Sequence, residues 1–116
     1  MNSKPYDLTF VTDIAKGNKE FIKSLIDVFI VNTPAVVNEM IEAKNAGEWD
    51  KVGKLAHKLK STIDTMGLHT VKELIRFIET NAKTQADLVS IPQKIEILYT
   101  VVQDCIIQLK KEEVYQ

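Results

Sequence analysis

Apolar residues recur along most of the chain at intervals of three and four, the period of an amphipathic helix. Alternating β-branched runs bounded by turn pairs such as Asn-Gly, which would indicate strands, are missing. The pattern predicts a short first helix over residues 8–16, closed by Gly17 as a C′ glycine, and longer helices after it. Because the connections are short, we expect an all-α fold: an antiparallel up-and-down four-helix bundle with a short extra N-terminal helix as a lid.

The next helix should start at Asn18, whose side chain can cap it. Thr33-Pro34 has the sequence of an N-cap followed by a first-turn proline, so it predicts either a new helix or a kink at that point. Gly47 should end this segment. The positions expected to face inward are Phe21, Ile22, Leu25, Ile26 and Phe29, then Val36, Val37, Met40 and Ile41.

A third helix is predicted over residues 49–66, with Gly67 as its end. Its apolar seam comprises Trp49, Val52, Ala56, Leu59, Ile63 and Met66. The following helix should begin at Thr70, with Glu73 completing a T-x-x-E capping box. Its buried face is predicted to comprise Val71, Leu74, Ile75, Ile78 and Ala82.

After a polar connector over residues 84–90, the last helix should open at Ser90 or Ile91. Ser90 and Gln93 form a second capping-box pair, and Pro92 falls in the first turn. The seam of this helix comprises Ile91, Ile95, Leu98, Val102, Cys105 and Leu109. We interpret Cys105 as a small core residue, not a reactive thiol.

With 116 residues the chain is expected to form one domain over residues 1–116. Its net charge of −1 gives no basic field for nucleic acid or an acidic membrane. A lone cysteine excludes an internal disulfide, and the polar start over residues 1–6 does not resemble a signal peptide. No apolar run is long enough to span a membrane, so we expect a cytoplasmic monomer, either free-standing or cut from a larger protein.

One histidine in the third helix has an unusual setting. Gly53 and Ser61 lie four residues before and after His57, and Lys54 and Lys60 lie three residues before and after it. Residues three and four apart share a helix face, so the imidazole should stand on an open, basic strip of surface that also includes Lys58. Small residues there would leave room for a bulky partner.

The hairpin around Gly67 supplies a partner for this histidine. His57 lies eleven positions before residue 68 and Glu79 eleven positions after it, so the two should be level in an antiparallel helix pair. A carboxylate there can accept the Nδ1 hydrogen and leave Nε2 as the nucleophile. By the same count Arg76 is level with Lys60, and the cations favour a phosphoryl group.

Simpler interpretations remain open. A lone histidine on a helix is more often surface decoration, and lysine runs are usually solvated faces. Asp64, seven residues past His57, is most simply solvent-exposed. The second histidine, His69, forms no Glu-x-x-His or His-x-x-x-His spacing, so a metal-binding bundle is disfavoured and no metal site is predicted.

The segment Ala56-His57-Lys58-Leu59-Lys60-Ser61 resembles the A-H-x-L-K-G motif of the histidine-containing phosphotransfer (HPt) domain family. Gly67-Leu68, ten residues past the histidine, and Ile78-Glu79 also stand where that family has a glycine and an apolar-Glu pair. The resemblance extends over about residues 7–110. Ser61 replaces the usual glycine, and many members have Gln where Glu79 stands.

The resemblance implies a four-helix bundle that carries a phosphoryl group between aspartates of receiver domains. His57 would be the phosphorylated residue, Lys60 the phosphate-stabilising cation and Glu79 the group that orients the imidazole. The partner would dock on the helix face around His57, for which the candidates are Gly53, Lys54, Lys58, Ser61, Asp64 and Arg76.

The implied partners are response-regulator receiver domains and a hybrid sensor histidine kinase. The chain has no Gly-rich nucleotide-binding motif and no acidic Mg²⁺ cluster, so we expect a carrier without kinase activity of its own and without a cofactor. Mg²⁺ would come from the receiver. The alternative is a helical adaptor that docks on receivers or kinases without being phosphorylated.

Overall fold

A computed structural model describes residues 4–116. Residues 1–3, which belong to the polar start considered above, lie outside the described part. Within it the chain forms five α-helices and no strand. They are α1 (Thr9–Ile14), α2 (Lys19–Asn45), α3 (Trp49–Thr65), α4 (Lys72–Thr84) and α5 (Ile91–Leu109), with a 3₁₀ turn (His69–Val71) before α4.

The four long helices enclose one hydrophobic core. Helix α2 packs against α3 and α5, and α4 packs against the same two helices, so neighbours in sequence are neighbours in space. Short connections between consecutive helices make each pair antiparallel. The expected all-α four-helix bundle is confirmed. No helix in the described residues is long and apolar enough to cross a bilayer.

Helix α1 is shorter than predicted, because Lys16 and Gly17 both adopt positive φ angles, of 52° and 76°. It contributes Val11 to the core, and Ala15 just beyond it is also buried. The segment before α1 crosses the turn between α3 and α4, where the Asp7 N–H donates to the Met66 carbonyl at 3.1 Å. The N-terminal part of the chain therefore closes that end of the hairpin.

Helix α2 runs without interruption through Pro34, so of the two alternatives predicted there the new helix is wrong. The buried positions of α2 keep one helical phase on both sides of the proline: Ile22, Ile26, Phe29, Thr33, Val36, Val37, Met40 and Ala43. An interior proline costs about 3 kcal/mol through one lost hydrogen bond and a steric clash. A single apolar face packed on α3 and α5 offsets that cost. Thr33 is part of this buried face, not a helix cap.

Helix ends agree with the sequence only in part. The Asn18 side chain accepts from the Phe21 N–H at 3.0 Å, as predicted. Both predicted capping boxes are wrong. Thr70 lies inside the 3₁₀ turn and α4 begins two residues later with no side-chain cap. Ser90 does stand just before α5, but its hydroxyl donates to Asp87 Oδ2 at 3.0 Å and accepts no cap hydrogen bond from the helix.

The predicted core is largely confirmed, including Cys105, which is fully buried. Phe21 is the clear exception at 47% exposure, because it lies about 100° around α2 from the buried Ile22. Trp49, Leu25, Ile41 and Leu74 are half-buried at the edge of the core.

Gly67 is constrained in two ways that Gly47 is not. Each follows the last turn of its helix with a positive φ, 65° for Gly67 and 72° for Gly47. A Cβ at position 67 would lie 2.4 Å from the Asp7 carbonyl oxygen, whereas one at position 47 would meet nothing within 4 Å. The N-terminal segment can therefore cross the hairpin only over a residue without a side chain.

We predict that Gly67→Ala lowers the free energy of unfolding by roughly 2–4 kcal/mol, because left-handed strain adds to a clash with backbone. Gly47→Ala, the matched control, should cost only about 1 kcal/mol, the strain alone. Urea denaturation followed by circular dichroism measures both. Equal losses would show that the crossing at Gly67 contributes no constraint.

Candidate functional site

The predicted partners His57 and Glu79 are in contact across the α3–α4 hairpin. His57 Nδ1 lies 2.5 Å from Glu79 Oε2. The two side chains differ sharply in exposure: 64% of the imidazole side chain is accessible, against 11% of the glutamate. The residue that could react is therefore presented to solvent, and the residue that holds it is embedded between the helices.

Two lysines complete the hydrogen bonds of the Glu79 carboxylate. Lys60 Nζ, from α3, donates to Oε1 at 2.8 Å, and Lys83 Nζ, one turn further along α4, donates to Oε2 at 3.2 Å. The hydrogen bond from Lys60 is the largest influence on the pKa of Glu79, and those from His57 and Lys83 act in the same direction. Together they outweigh the opposing effect of burial and lower the pKa of Glu79 to about 2.

The ionised carboxylate determines which ring nitrogen is free. A carboxylate only accepts hydrogen bonds, so the contact at 2.5 Å requires a hydrogen on Nδ1 of His57. In the neutral imidazole the other nitrogen, Nε2, then carries the lone pair. The arrangement presents a solvent-facing nitrogen nucleophile whose opposite nitrogen is fixed by an anion.

The remaining residues of the predicted docking face divide into two groups. Lys54, Lys58 and Ser61 are exposed beside His57 on α3, as expected. Asp64 and Arg76 instead bind each other, with Arg76 Nη2 donating to Asp64 Oδ2 at 2.9 Å. Because this ion pair compensates its charge locally, Arg76 does not add to the basic strip as the hairpin count suggested.

Gly53 is buried, and its predicted place on the partner-facing surface is wrong. A Cβ at this position would lie 2.9 Å from Cγ of Lys83 and 3.6 Å from both the Ala82 Cβ and the Glu79 carbonyl oxygen. The absence of a side chain at position 53 therefore makes room for α4 and for the Lys83 stem. It does not open the site to a partner.

Lys83 was not singled out by the sequence pattern, although it binds Glu79. A signal was present, since a glutamate four residues before a lysine is the favourable orientation of a helical ion pair.

A mostly apolar groove of about 270 Å³ runs along the other side of α3, between α3 and α2. From α2 it is lined by residues that include Val28, Phe29 and Val36. Lys58 and Ser61, the exposed neighbours of His57, form part of its α3 wall. The groove therefore begins beside the imidazole.

The second histidine lies elsewhere. His69 Nε2 is 3.4 Å from Asp7 Oδ2, at the closed end of the hairpin, and both side chains are exposed. Among residues 4–116 no group of three or more His, Cys, Asp or Glu side chains is placed to hold a metal ion.

The depressed pKa of Glu79 has a consequence for stability. Its value in the folded chain, about 2, lies below the ordinary 4.5, so ionised Glu79 stabilises the fold above pH 4.5 and this contribution is lost as the pH falls towards 2. We predict that the wild-type advantage over Glu79→Gln in unfolding free energy shrinks by roughly 2–3 kcal/mol between pH 6 and pH 2.

Chemical denaturation at a series of pH values measures this difference. Glu39→Gln removes an exposed carboxylate of α2 and serves as the control, for which the difference should stay nearly constant. A pH-independent gap between wild type and Glu79→Gln would contradict the assignment of Glu79 as the stabilising anion.

Comparison with known proteins supplies one match. A sequence model of the Hpt domain matches residues 24–112, which include α3, α4, α5 and most of α2. Searches of curated proteins and of solved structures return no match. The match covers well over half of the chain, and it includes His57, Glu79 and both lysines that bind Glu79. The chain belongs to the Hpt domain family, the phosphotransfer domains of two-component systems.

Proposed function

We propose that His57 accepts a phosphoryl group from an aspartyl phosphate on one receiver domain and passes it to an aspartate of another. The observation that carries this proposal is the pairing of an exposed imidazole with a buried carboxylate at 2.5 Å. The donor receiver would belong to a hybrid sensor histidine kinase or a response regulator. The chain acts as a carrier, and the receiver contributes Mg²⁺.

The proposed transfer follows from the state of the two ring nitrogens. The Nε2 lone pair attacks phosphorus, and the bond between phosphorus and the aspartate oxygen breaks, releasing the carboxylate. Positive charge develops on the ring, which keeps its hydrogen on Nδ1. The Glu79 carboxylate, already hydrogen-bonded to that hydrogen, stabilises this charge without reorganisation. The reverse transfer to another receiver uses the same interaction.

Lys60 fits the role of a cation for the phosphoryl group. Its ammonium has three donors and only one of them is needed for Glu79 Oε1, at 2.8 Å. Lys54 and Lys58 lie exposed on the same helix. The surface that meets the anionic phosphoryl group is thus basic, although the protein as a whole carries a net charge of −1.

The groove between α2 and α3 is the best-supported docking surface for the receiver. It is continuous with the site through Lys58 and Ser61, and its apolar lining offers a contact that the basic strip alone lacks. Transient signalling contacts are usually modest in area, which a groove of this size suits. Ser61 lies at the junction, so its hydroxymethyl group would touch the receiver close to the reacting atoms.

We predict that His57→Gln lowers acid-labile phosphorylation by a phosphorylated receiver at least 100-fold, because among residues 4–116 no other imidazole is held by a buried carboxylate. Radiolabel transfer measures this, and circular dichroism should show unchanged helicity. His69→Gln is the control and should be labelled like wild type. Labelling of His57→Gln at the wild-type rate would exclude His57 as the acceptor.

A second prediction separates docking from chemistry. Val28, 54% exposed, lines the groove, whereas Val31, 69% exposed on the same helix, does not. Val28→Glu should weaken receiver binding by about tenfold, because it places a charge in an apolar contact. Val31→Glu should bind like wild type.

Calorimetric titration with a receiver measures both affinities, and phosphoramidate, a small phosphoryl donor, should label both variants alike. Equal affinities would place the receiver elsewhere. A non-phosphorylated adaptor would show the loss for Val28→Glu but no labelling of His57 in any protein.

A further inference from the structure

Lys83 and Gly53 pack together beside Glu79, at the carboxylate oxygen that Lys60 does not bind. Lys83 Nζ donates to Oε2, the same oxygen that accepts the hydrogen of His57 Nδ1. Its stem passes Gly53 so closely that a Cβ there would come within 2.9 Å of Lys83 Cγ. The lysine can reach Glu79 along this path only because position 53 has no side chain.

We propose that Lys83, seated against Gly53, is a positioning residue that keeps Nε2 of His57 free of a proton near neutral pH. The proposal rests on the role of His57 as phosphoryl acceptor. A carboxylate bound to an imidazole favours the doubly protonated ring, which has no lone pair to attack phosphorus. A cation bound to the same oxygen partly neutralises the negative charge of the carboxylate and repels the imidazolium. It therefore opposes that effect.

The geometry makes Lys83 better placed for this than the other lysines. Lys60 binds the opposite oxygen, Oε1, and Lys54 and Lys58 extend from α3 without an ion pair among residues 4–116. The charged groups hydrogen-bonded to Glu79 come only from α3 and α4 in the described part of the chain, and none comes from α2 or α5. Lys83 is thus the one cation that shares an acceptor atom with the histidine.

This arrangement also explains the glycine in the interior of α3. Gly53 costs the helix about 1 kcal/mol relative to alanine. Because Gly53 is buried, partner access to the site does not account for this cost. Close packing of the Lys83 stem against position 53 accounts for the glycine. Replacing Gly53 by alanine should displace Lys83 from Oε2 while leaving every charge of the protein unchanged.

The test uses phosphoramidate as the donor, so that no receiver is needed. Nε2 attacks phosphorus, the phosphorus–nitrogen bond breaks, ammonia leaves and Nδ1 keeps its hydrogen. The initial labelling rate of His57 is measured from pH 5.5 to 9 for wild type, Lys83→Met, Lys83→Arg and Gly53→Ala. Lys72→Met removes a lysine at the far end of α4 and is the control for net charge.

We expect the acid limb of the Lys83→Met profile to move to higher pH by about half a unit, because one partly exposed cation has been removed. Labelling at pH 6 should then fall about threefold, with little change at pH 8.5. Gly53→Ala should shift in the same direction, because a Cβ there would occupy the path of the Lys83 stem. Lys83→Arg and Lys72→Met should keep the wild-type profile.

The pH titration of the His57 Cε1–H signal by NMR, without donor, should move in parallel with each labelling profile. A Lys83→Met profile that coincides with wild type overturns the proposal, as does an equal shift for Lys72→Met. A Gly53→Ala protein with the wild-type profile overturns the role of the glycine. If wild-type protein is not labelled at His57 at all, the proposed function fails instead.

Discussion

The buried Glu79 carboxylate is the constraint on which the arrangement of the hairpin depends. A charge removed from water is tolerated only where hydrogen-bonded partners compensate it, and losing one partner of such a group costs several kcal/mol. Here His57 and Lys60 approach from α3 and Lys83 from α4 itself. Sliding α3 past α4 by one turn would separate the buried carboxylate from both of its α3 donors and leave it only Lys83, so the interaction fixes the register of the two helices.

The Glu79 carboxylate also fixes the orientation of the His57 imidazole. Both of its oxygens are occupied, which restricts rotation of the Glu79 side chain and, through Oε2, the orientation of the imidazole. Away from this contact the imidazole is open to solvent, since 64% of the His57 side chain is accessible. The imidazole is thus oriented when the protein folds, so a partner that binds at His57 would not have to bear the entropic cost of ordering the ring.

Much of this could be predicted from the sequence because it follows from periodicity. Helical spacing located the long helices, and counting from the hairpin turn identified Glu79 as the partner of His57. Pro34 misled the prediction of α2, since a local rule for helix starts was given more weight than the apolar face that continues in phase through Thr33. The packing free energy summed along the whole helix outweighs one missing hydrogen bond. A pattern of a few residues around Pro34 does not reveal that total.

The wrong placement of Gly53 and the omission of Lys83 share another cause. The sequence shows that Gly53 lacks a side chain but not what occupies the space, and a helical glycine beside a functional residue suggests access. The structure fills that space with Lys83. Whether a small residue opens a surface or admits a neighbouring helix depends on the distance between helix axes, which is set by all the side chains at the interface together.

Two faces of helix α3 contribute different residues, one towards α4 and one towards α2. Towards α4 it contributes Gly53 and Lys60 to the group that controls His57, and towards α2 it forms one wall of an apolar groove. The groove wall on α2 makes no contact with Glu79 among the described interactions. In the proposed docking mode, changes on α2 would therefore alter the contact with the partner while the hydrogen bonds to Glu79 remain intact. Lys58 and Ser61 line this groove beside His57, so under the proposed function a change at either position would affect both the docking contact and the surroundings of the imidazole.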